Sequence, residues 1–444
     1  MTIYESAFVT KRPVSSAATR LSPSKLFVET TTRCNLGCPM CVKYAPGSDI
    51  ANDHMSPATF ARLEGAFDEL QVLILNGIGE PLLNPHLESF IATARRRMPK
   101  EGWIGFQSNG LLLDAAKADA LLDAGLSGIC LSLDALSPET FRRVRQGGEI
   151  VAVVDAFSAL QQARQTRPEE SLQVGVEFVV RQDNLQELPE VIAWAAQQGA
   201  DFALVSQLMP YAAEQLEQRA YNNCNDAALT LYKKWQRIGA QQGLDLRDYP
   251  RTVWSADRNR HAALSSLVQQ MKEEARLQDV FLNLQQLFDR DAEVTVMTER
   301  IFKQAQAVAR REGLNLHLPA LSPRHARRCS FVEEGGAFIA WNGDLHPCYN
   351  LWHNYHCYVE DWQRSVKAKV FGNLKEKSLV DLWNQNDFID FRQNVLKHDY
   401  PYCSNCSVAP CDYVESEEFE QDCFLGKEPC GACLWSTGLL QCLQ

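Results

Sequence analysis

Three cysteines fall close together in Cys34-Asn35-Leu36-Gly37-Cys38-Pro39-Met40-Cys41, just after the apolar run Leu26-Phe27-Val28-Glu29-Thr30. A loop with C-x3-C-x2-C spacing can set three thiolates around one corner of an iron–sulfur cube, and it supplies no fourth protein ligand. An open iron on a reducible cluster is a place to bind and cleave a cofactor, whereas a fourth cysteine would favour plain electron transfer. On their own, three clustered cysteines also suit a zinc knuckle short of one ligand.

Such a loop needs a rigid mount. From residue 26 to about 206, short apolar strands alternate with amphipathic helices. The strands are expected at Leu26–Thr30, Val72–Asn76, Trp103–Gln107, Gly128–Leu133, Leu172–Val180 and Phe202–Ser206. Helices are expected at Pro57–Glu69, Pro85–Arg97, Asp114–Ala124, Pro138–Arg145 and Leu185–Gln198. Ser56-Pro57 and Ser137-Pro138 each place a capping hydroxyl before a proline at the first helical position. Strands and helices in alternation argue for a partial (β/α)6 barrel of parallel strands within the α/β class. Chemistry in such barrels gathers where strands end at their C-termini, and the cysteine loop follows the first strand there.

The other strand ends carry polar residues. Asn76-Gly77-Ile78-Gly79-Glu80-Pro81 joins glycines, which permit close backbone approach, to a carboxylate suited to an ammonium group. Ser108-Asn109-Gly110 and Ser132-Leu133-Asp134 follow the third and fourth strands, with Arg143 on the next helix. In isolation Ser108-Asn109-Gly110 reads equally as a turn, and Arg143 as a solvated helix residue. Taken in order, the set resembles the radical S-adenosylmethionine (SAM) superfamily. That resemblance implies a [4Fe–4S] cluster on Cys34, Cys38 and Cys41, with SAM's amino and carboxylate groups on the open iron. It also implies that Gly77, Gly79 and Glu80 hold the amino group, that Ser108, Asn109 and Ser132 serve the ribose and carboxylate, and that Arg143 pairs with the carboxylate. The family commonly has an aromatic residue before the third cysteine. Here Met40 stands there, soft and apolar enough to pack on an adenine ring.

The chain has 444 residues, 45% hydrophobic and 22% charged, enough for two or three cores. Its formal charge of −11 argues against nucleic acid or anionic lipid as a partner. Met1 to Ser24 lacks a signal-peptide apolar region, and no run approaches the roughly 18 apolar residues of a membrane span. A cytoplasmic protein is expected, and in that setting fifteen cysteines speak for metal ligation over disulfides. Cys130 and Cys224 stand alone and read as small buried hydrophobes. Residues 209–325 turn to long, charged helical sequence such as Ala227–Gln242 and Leu264–Asp289, a helical connection or cap.

Ten of the cysteines lie between Cys329 and Cys442. Ala337-Phe338-Ile339-Ala340-Trp341 running into Asn342-Gly343 predicts a strand and a tight hairpin that returns Cys348 to its base. Cys403-x2-Cys406-x4-Cys411, Cys423, Cys430-x2-Cys433 and Cys442 follow, a strong metal signal for which a zinc ribbon competes with iron–sulfur. Cys329, Gly343-x4-Cys348, Phe371-Gly372-Asn373-Leu374 before a helix Leu379–Trp383, and this tail resemble the SPASM domain. That similarity implies one or two auxiliary [4Fe–4S] clusters, although Cys411 comes early, Cys423 late, and the last cysteines exceed the usual count. The expected division is 1–25 as N-terminal extension, 26–208 as core, 209–325 as helical segment, and 326–444 as small cysteine-rich iron–sulfur domain.

Cys38-Pro39-Met40-Cys41-Val42-Lys43 and Cys430-Gly431-Ala432-Cys433-Leu434-Trp435 resemble a radical SAM/SPASM subgroup assigned to metalloenzyme maturation. The implied activity is reductive SAM cleavage to a 5′-deoxyadenosyl radical that abstracts hydrogen from a peptide or partner protein, with a flavodoxin- or ferredoxin-type electron donor. A small-molecule dehydrogenase or rearrangement enzyme is the second reading; with about 25 residues before the first strand no peptide-leader-binding domain is expected, which slightly favours a folded partner or a small molecule over a leader-bearing peptide. A non-catalytic iron–sulfur or zinc scaffold is the third. Asp344 and Asp412 lie near cluster cysteines and are candidate proton acceptors, with solvated loop acids as the plainer reading.

Overall fold

The structure, a computed structural model, describes residues 17–167, 171–253, 261–289, 292–406, 411 and 419–443, so Asp412 lies outside the described residues. Six strands appear where the hydrophobic runs place them: β1 (Lys25–Val28), β2 (Val72–Ile74), β3 (Trp103–Ser108), β4 (Gly128–Ser132), β5 (Gln173–Val180) and β6 (Phe202–Gln207). Each is parallel to the next, with Leu26 opposite Leu73, Leu73 opposite Ile104 and Ser132 opposite Glu177. Alternation in β5 shows why. Val174, Val176, Phe178 and Val180 are buried in the core beneath the helices, while Glu177 and Val179 take the other face and are only partly buried. On that second face, a side chain at Gly175 would put its Cβ 2.3 Å from the Phe202 ring, so glycine makes room for the aromatic.

The sheet continues beyond these six. β7 (Asn315–His317) adds in parallel to β6, and β8 (Gly336–Ile339) adds in parallel to β1. β9 (Leu345–His346) returns antiparallel to β8, completing the expected hairpin, in an order β7-β6-β5-β4-β3-β2-β1-β8-β9. The sheet therefore runs through the divisions expected at residues 209 and 326. β10 (Tyr355–Val359) and β11 (Trp362–Val366) form a separate hairpin.

Ser56 and Ser137 cap their helices by accepting from Thr59 N and Thr140 N at 3.1 and 3.3 Å. The expected helix over Pro57–Glu69 divides into an α-helix, Pro57–Ala61, and a 3-10 segment, Glu64–Glu69. A further helix, Ile150–Thr166, covers the outside of the sheet. In the middle segment, the helices Asp226–Gln241 and Ala262–Leu277 share a core of their own around Leu231, Leu267, Val268 and Met271. The expected run from Leu264 to Asp289 is interrupted, with Asp279 in the left-handed region at φ 55°. The helix Ala292–Glu312 instead lays Ile301, Phe302, Ala305 and Ala309 into the core of the barrel.

The chain's tail is stitched to the barrel. Gln207 N donates to Leu439 O at 3.0 Å, and Ser206 Oγ donates to Gln441 O at 3.1 Å. Leu443 packs with Phe27, Ile74, Cys130, Phe338 and Tyr349, so the last residues fill space against β1, β2, β4 and β8. Among the described residues no helix is long and apolar enough to cross a membrane.

Candidate active site

The cysteine loop leaves the end of β1 and is braced by backbone bonds: Gly37 N to Gln146 O at 2.9 Å and Cys41 N to Cys38 O at 3.0 Å. All fifteen cysteines are free of disulfides. Burial pushes the Cys34 thiol up and the Cys41 thiol up to about 11, and neighbouring thiols add to both shifts. Thiols so placed give up their protons when a metal centre takes the thiolates. Cys34, Cys38 and Cys41 thus offer three soft donors from one short loop, a set that could hold three irons of a cube.

Beside them sits Glu80, only 3% exposed. Its Oε1 accepts from Ser108 Oγ at 2.8 Å and Leu82 N at 3.1 Å, and its Oε2 from Asn109 N at 2.7 Å. Burial raises its pKa, against the pull of those hydrogen bonds and of Arg145. Among the described residues no basic side chain forms an ion pair with it. A buried carboxylate with donors on three sides and no ion-paired cation fits an incoming ammonium group. Gly79 explains how the segment reaches the loop: a Cβ there would stand 2.5 Å from the carbonyl oxygens of Thr31 and Arg33. Glu80 N donates to Arg33 O at 2.8 Å, one residue before Cys34.

Asn109 links this carboxylate to the cysteines, its Nδ2 lying 2.8 Å from Asn35 Oδ1 and 4.0 Å from Cys34 Sγ. Ser132 closes β4 opposite Glu177. Met40 packs with Val144, Leu208 and Val179. Gly77 sits against Glu29, where a Cβ would lie 2.4 Å from Glu29 Cγ.

Arg143 is placed elsewhere. It is about half exposed and pairs with Asp183 at 3.1 Å. Arg145, two residues on, is the guanidinium that turns inward, 13% exposed and paired with the wholly buried Asp134. Burial works against its charge, but Asp134 and Cys38 more than compensate and keep it cationic. Sequence reading passed over Arg145 because the helix ends at Val144 and Arg145 leaves it with non-helical dihedrals, a change of direction that helical periodicity cannot show.

A second group went unread. Asn76 Nδ2 donates to Gln107 Oε1 at 3.1 Å, and Gln107 Nε2 to Glu177 Oε2 at 2.5 Å, a polar chain across β2, β3 and β5. Burial lifts Glu177 to about 7, with Arg145 pulling the other way. The available signal was polar residues at alternate positions inside otherwise apolar strands.

In the C-terminal region Cys329, Cys348, Cys430 and Cys433 come together, each half-buried and near enough to feel its neighbours' charge; Cys348 is pushed up to about 12, first by desolvation. Cys442 adjoins them and accepts from Trp435 Nε1 at 2.9 Å. Cys403, Cys406, Cys411 and Cys423 form a second neighbourhood. Among the described residues, no three acidic, imidazole or thiol groups converge as for a single metal ion. Asp344 holds the hairpin turn, its carboxylate accepting from Asn342 Nδ2 and Asn373 Nδ2, both at 2.7 Å.

Comparison with known families matches two stretches of the chain. The description "Radical SAM superfamily" matches residues 28–195, and the SPASM "Iron-sulfur cluster-binding domain" matches residues 329–407. This chain is a radical SAM enzyme with a SPASM domain. It is 27% identical over 423 residues to the "Tungsten-containing aldehyde ferredoxin oxidoreductase cofactor-modifying protein" of Pyrococcus furiosus, covering 94% of this chain and 96% of that one. It is 32% identical over 190 residues to the GTP 3',8-cyclase of Brucella abortus, covering 40% of this chain and about half of the cyclase (51%). Among solved structures it is similar to Streptococcus suis SuiB bound to S-adenosylmethionine, with 13% identity, a TM-score of 0.49, and coverage of 84% of this chain and 68% of SuiB.

Proposed function

We propose that this radical SAM enzyme matures a metalloenzyme, using a 5′-deoxyadenosyl radical to modify a partner protein or the cofactor destined for it. The observation that carries the substrate class is similarity along nearly the whole chain to a cofactor-modifying protein. In this reading Cys34, Cys38 and Cys41 would hold a [4Fe–4S] cluster, which would supply the electron for reductive cleavage of SAM. Glu80 receives SAM's ammonium, since among the described residues no basic side chain forms an ion pair with its buried carboxylate. Ser108 and Asn109 fix the Glu80 carboxylate, and Asn109 Nδ2 faces the cluster loop. Arg145 takes the carboxylate role first expected of Arg143, because it is the inward guanidinium among the cluster thiols. Gln107 and Glu177 present a hydrogen-bonding wall to the substrate, and Glu177 near neutrality can hold or release a proton.

The two C-terminal cysteine neighbourhoods support two auxiliary clusters, one on Cys329, Cys348, Cys430 and Cys433, the other on Cys403, Cys406, Cys411 and Cys423. A ferredoxin- or flavodoxin-type donor supplies electrons. The reconstituted protein is expected to convert SAM to 5′-deoxyadenosine and methionine with dithionite. SAM binding without 5′-deoxyadenosine would sink the enzymatic reading. Supplying a partner metalloenzyme's apo-form should raise turnover above this uncoupled rate, and a response to small amines or sugars alone would favour the small-molecule reading.

A further inference from the structure

Glu29, the residue after β1, is wholly buried and has no part in the roles assigned above. Its Oε1 accepts from Ile78 N at 3.2 Å, in the middle of the Gly77–Glu80 ribbon. From the other side, His353 Nε2 lies 3.0 Å from Oε1 and 3.2 Å from Oε2. One carboxylate therefore touches both the ribbon and the SPASM part of the chain, across more than three hundred residues of sequence. The fit is tight on the ribbon side, where Gly77 has no room for a Cβ against Glu29.

A carboxylate out of water is held by its hydrogen bonds, and losing one leaves it under-satisfied at a cost; Trp341 N, at 3.5 Å from Oε2, is a longer donor than His353 from the same side. Lys43 also senses Glu29, but its Nζ is committed to Thr32 O and Asn52 Oδ1. His346 is fixed through Nδ1 to Lys369 O at 3.1 Å. Among the described basic side chains, His353 is the one placed within hydrogen-bonding distance of the Glu29 carboxylate. Its ring is 15% exposed and lines a cavity of about 180 Å³ between Trp341, Trp352 and His346.

We propose that His353 is a positioning residue for SAM: it fixes Glu29, Glu29 fixes the Ile78 amide, and the ribbon is thereby held ready for SAM's amino group. The SPASM part then contributes to SAM affinity without touching SAM. The inference rests on the reading that Gly77–Glu80 contacts the amino group. Binding linkage is reciprocal, so SAM should also steady the segment around His353.

The test uses the full chain reconstituted with iron and sulfide, SAM titration calorimetry, and amide hydrogen exchange over residues 72–84 and 349–355. His353→Leu is expected to weaken SAM binding about tenfold and to speed Ile78 exchange at unchanged iron content. His353→Gln, whose amide can still donate to Glu29, is expected to restore both. In the unsubstituted chain, SAM is expected to slow exchange in 349–355. Unaltered SAM affinity and Ile78 exchange in His353→Leu would overturn the inference. If His353→Leu loses iron, His353→Asn, polar but too short to reach Glu29, is judged by the same criteria. Failure of the unsubstituted reconstituted chain to bind SAM would instead overturn the reading of Gly77–Glu80 on which the inference stands.

Discussion

Two side chains separate chemistry from scaffolding at the scale of single residues. Glu80 is buried with no ion-paired cation among the described residues, and its hydrogen bonds from Ser108, Asn109 and Leu82 orient it. Replacing it with glutamine keeps the shape and removes the charge. Hydrogen bonds to charged groups are worth about 1.5–3 kcal/mol, so E80Q is expected to weaken SAM binding on the order of 10- to 100-fold while keeping cluster iron, as read by calorimetry and iron analysis. Arg145 and Arg143 make a sharper pair. Removing Arg145 strands Asp134, which is wholly buried, and breaking a buried pair costs about 3–5 kcal/mol. Arg143 belongs to a half-exposed pair whose loss costs about 0–1 kcal/mol. R145M is therefore expected to lower the unfolding midpoint by many degrees and impair SAM binding, while R143A leaves both nearly unchanged. Equal effects from the two would contradict the inward placement of Arg145.

The polar chain from Asn76 through Gln107 to Glu177 depends on the register of the barrel strands. Burial lifts Glu177 from 4.5 to about 7. The folded protein therefore binds a proton that the unfolded chain releases. That contribution to stability is full below about pH 4.5 and fades as pH rises to about 7. The unfolding midpoint is expected to fall between about pH 4.5 and 7, with E177Q flattening the slope; a slope unchanged in E177Q would remove Glu177 as its source. The same elements show what could be read beforehand. Apolar runs located β1 to β6 to within a residue or two, since burial against the outer helices fixes their pattern, and Ser56 and Ser137 announced their helices by side-chain chemistry. Glu80, Ser108 and Asn109 were legible as strand-end residues and do meet in space. β7 is too short to carry a period of its own, and β8 was expected only as part of a C-terminal hairpin. Its parallel pairing with β1 is a contact between distant segments that no local pattern encodes. Glu29 was read as part of an apolar strand, and its partner His353 comes from the far end of the chain.

The whole molecule is a barrel whose strands are extended at both ends by later parts of the chain, with a cysteine-rich tail sewn onto β6. The cysteine sets proposed to hold its clusters lie on different parts of the chain. Cys34, Cys38 and Cys41 belong to one loop braced by Gln146 O, whereas Cys430 and Cys433 lead into the residues that bond to β6 and fill the space beside Phe27 and Phe338. Loss of the two sets should therefore differ in kind. A chain with three [4Fe–4S] clusters holds about twelve irons, four in each. Alanine at Cys34, Cys38 and Cys41 together should remove about four irons and abolish 5′-deoxyadenosine formation. Barrel stability should change little, because the loop adds few core side chains. Alanine at Cys430 and Cys433 should remove a different set of irons and also lower the unfolding midpoint, because the tail's anchor near Cys329 and Cys348 is released from the barrel. Iron, sulfide and zinc analysis after anaerobic reconstitution, with calorimetric unfolding of both variants, decides the matter. About four irons with zinc in the unsubstituted chain would leave the SAM site standing and make the C-terminal cysteines a structural zinc ribbon. Loss of all iron from the Cys34/Cys38/Cys41 variant would mean that the centres assemble as one unit, and the barrel and tail could no longer be treated as separable metal sites.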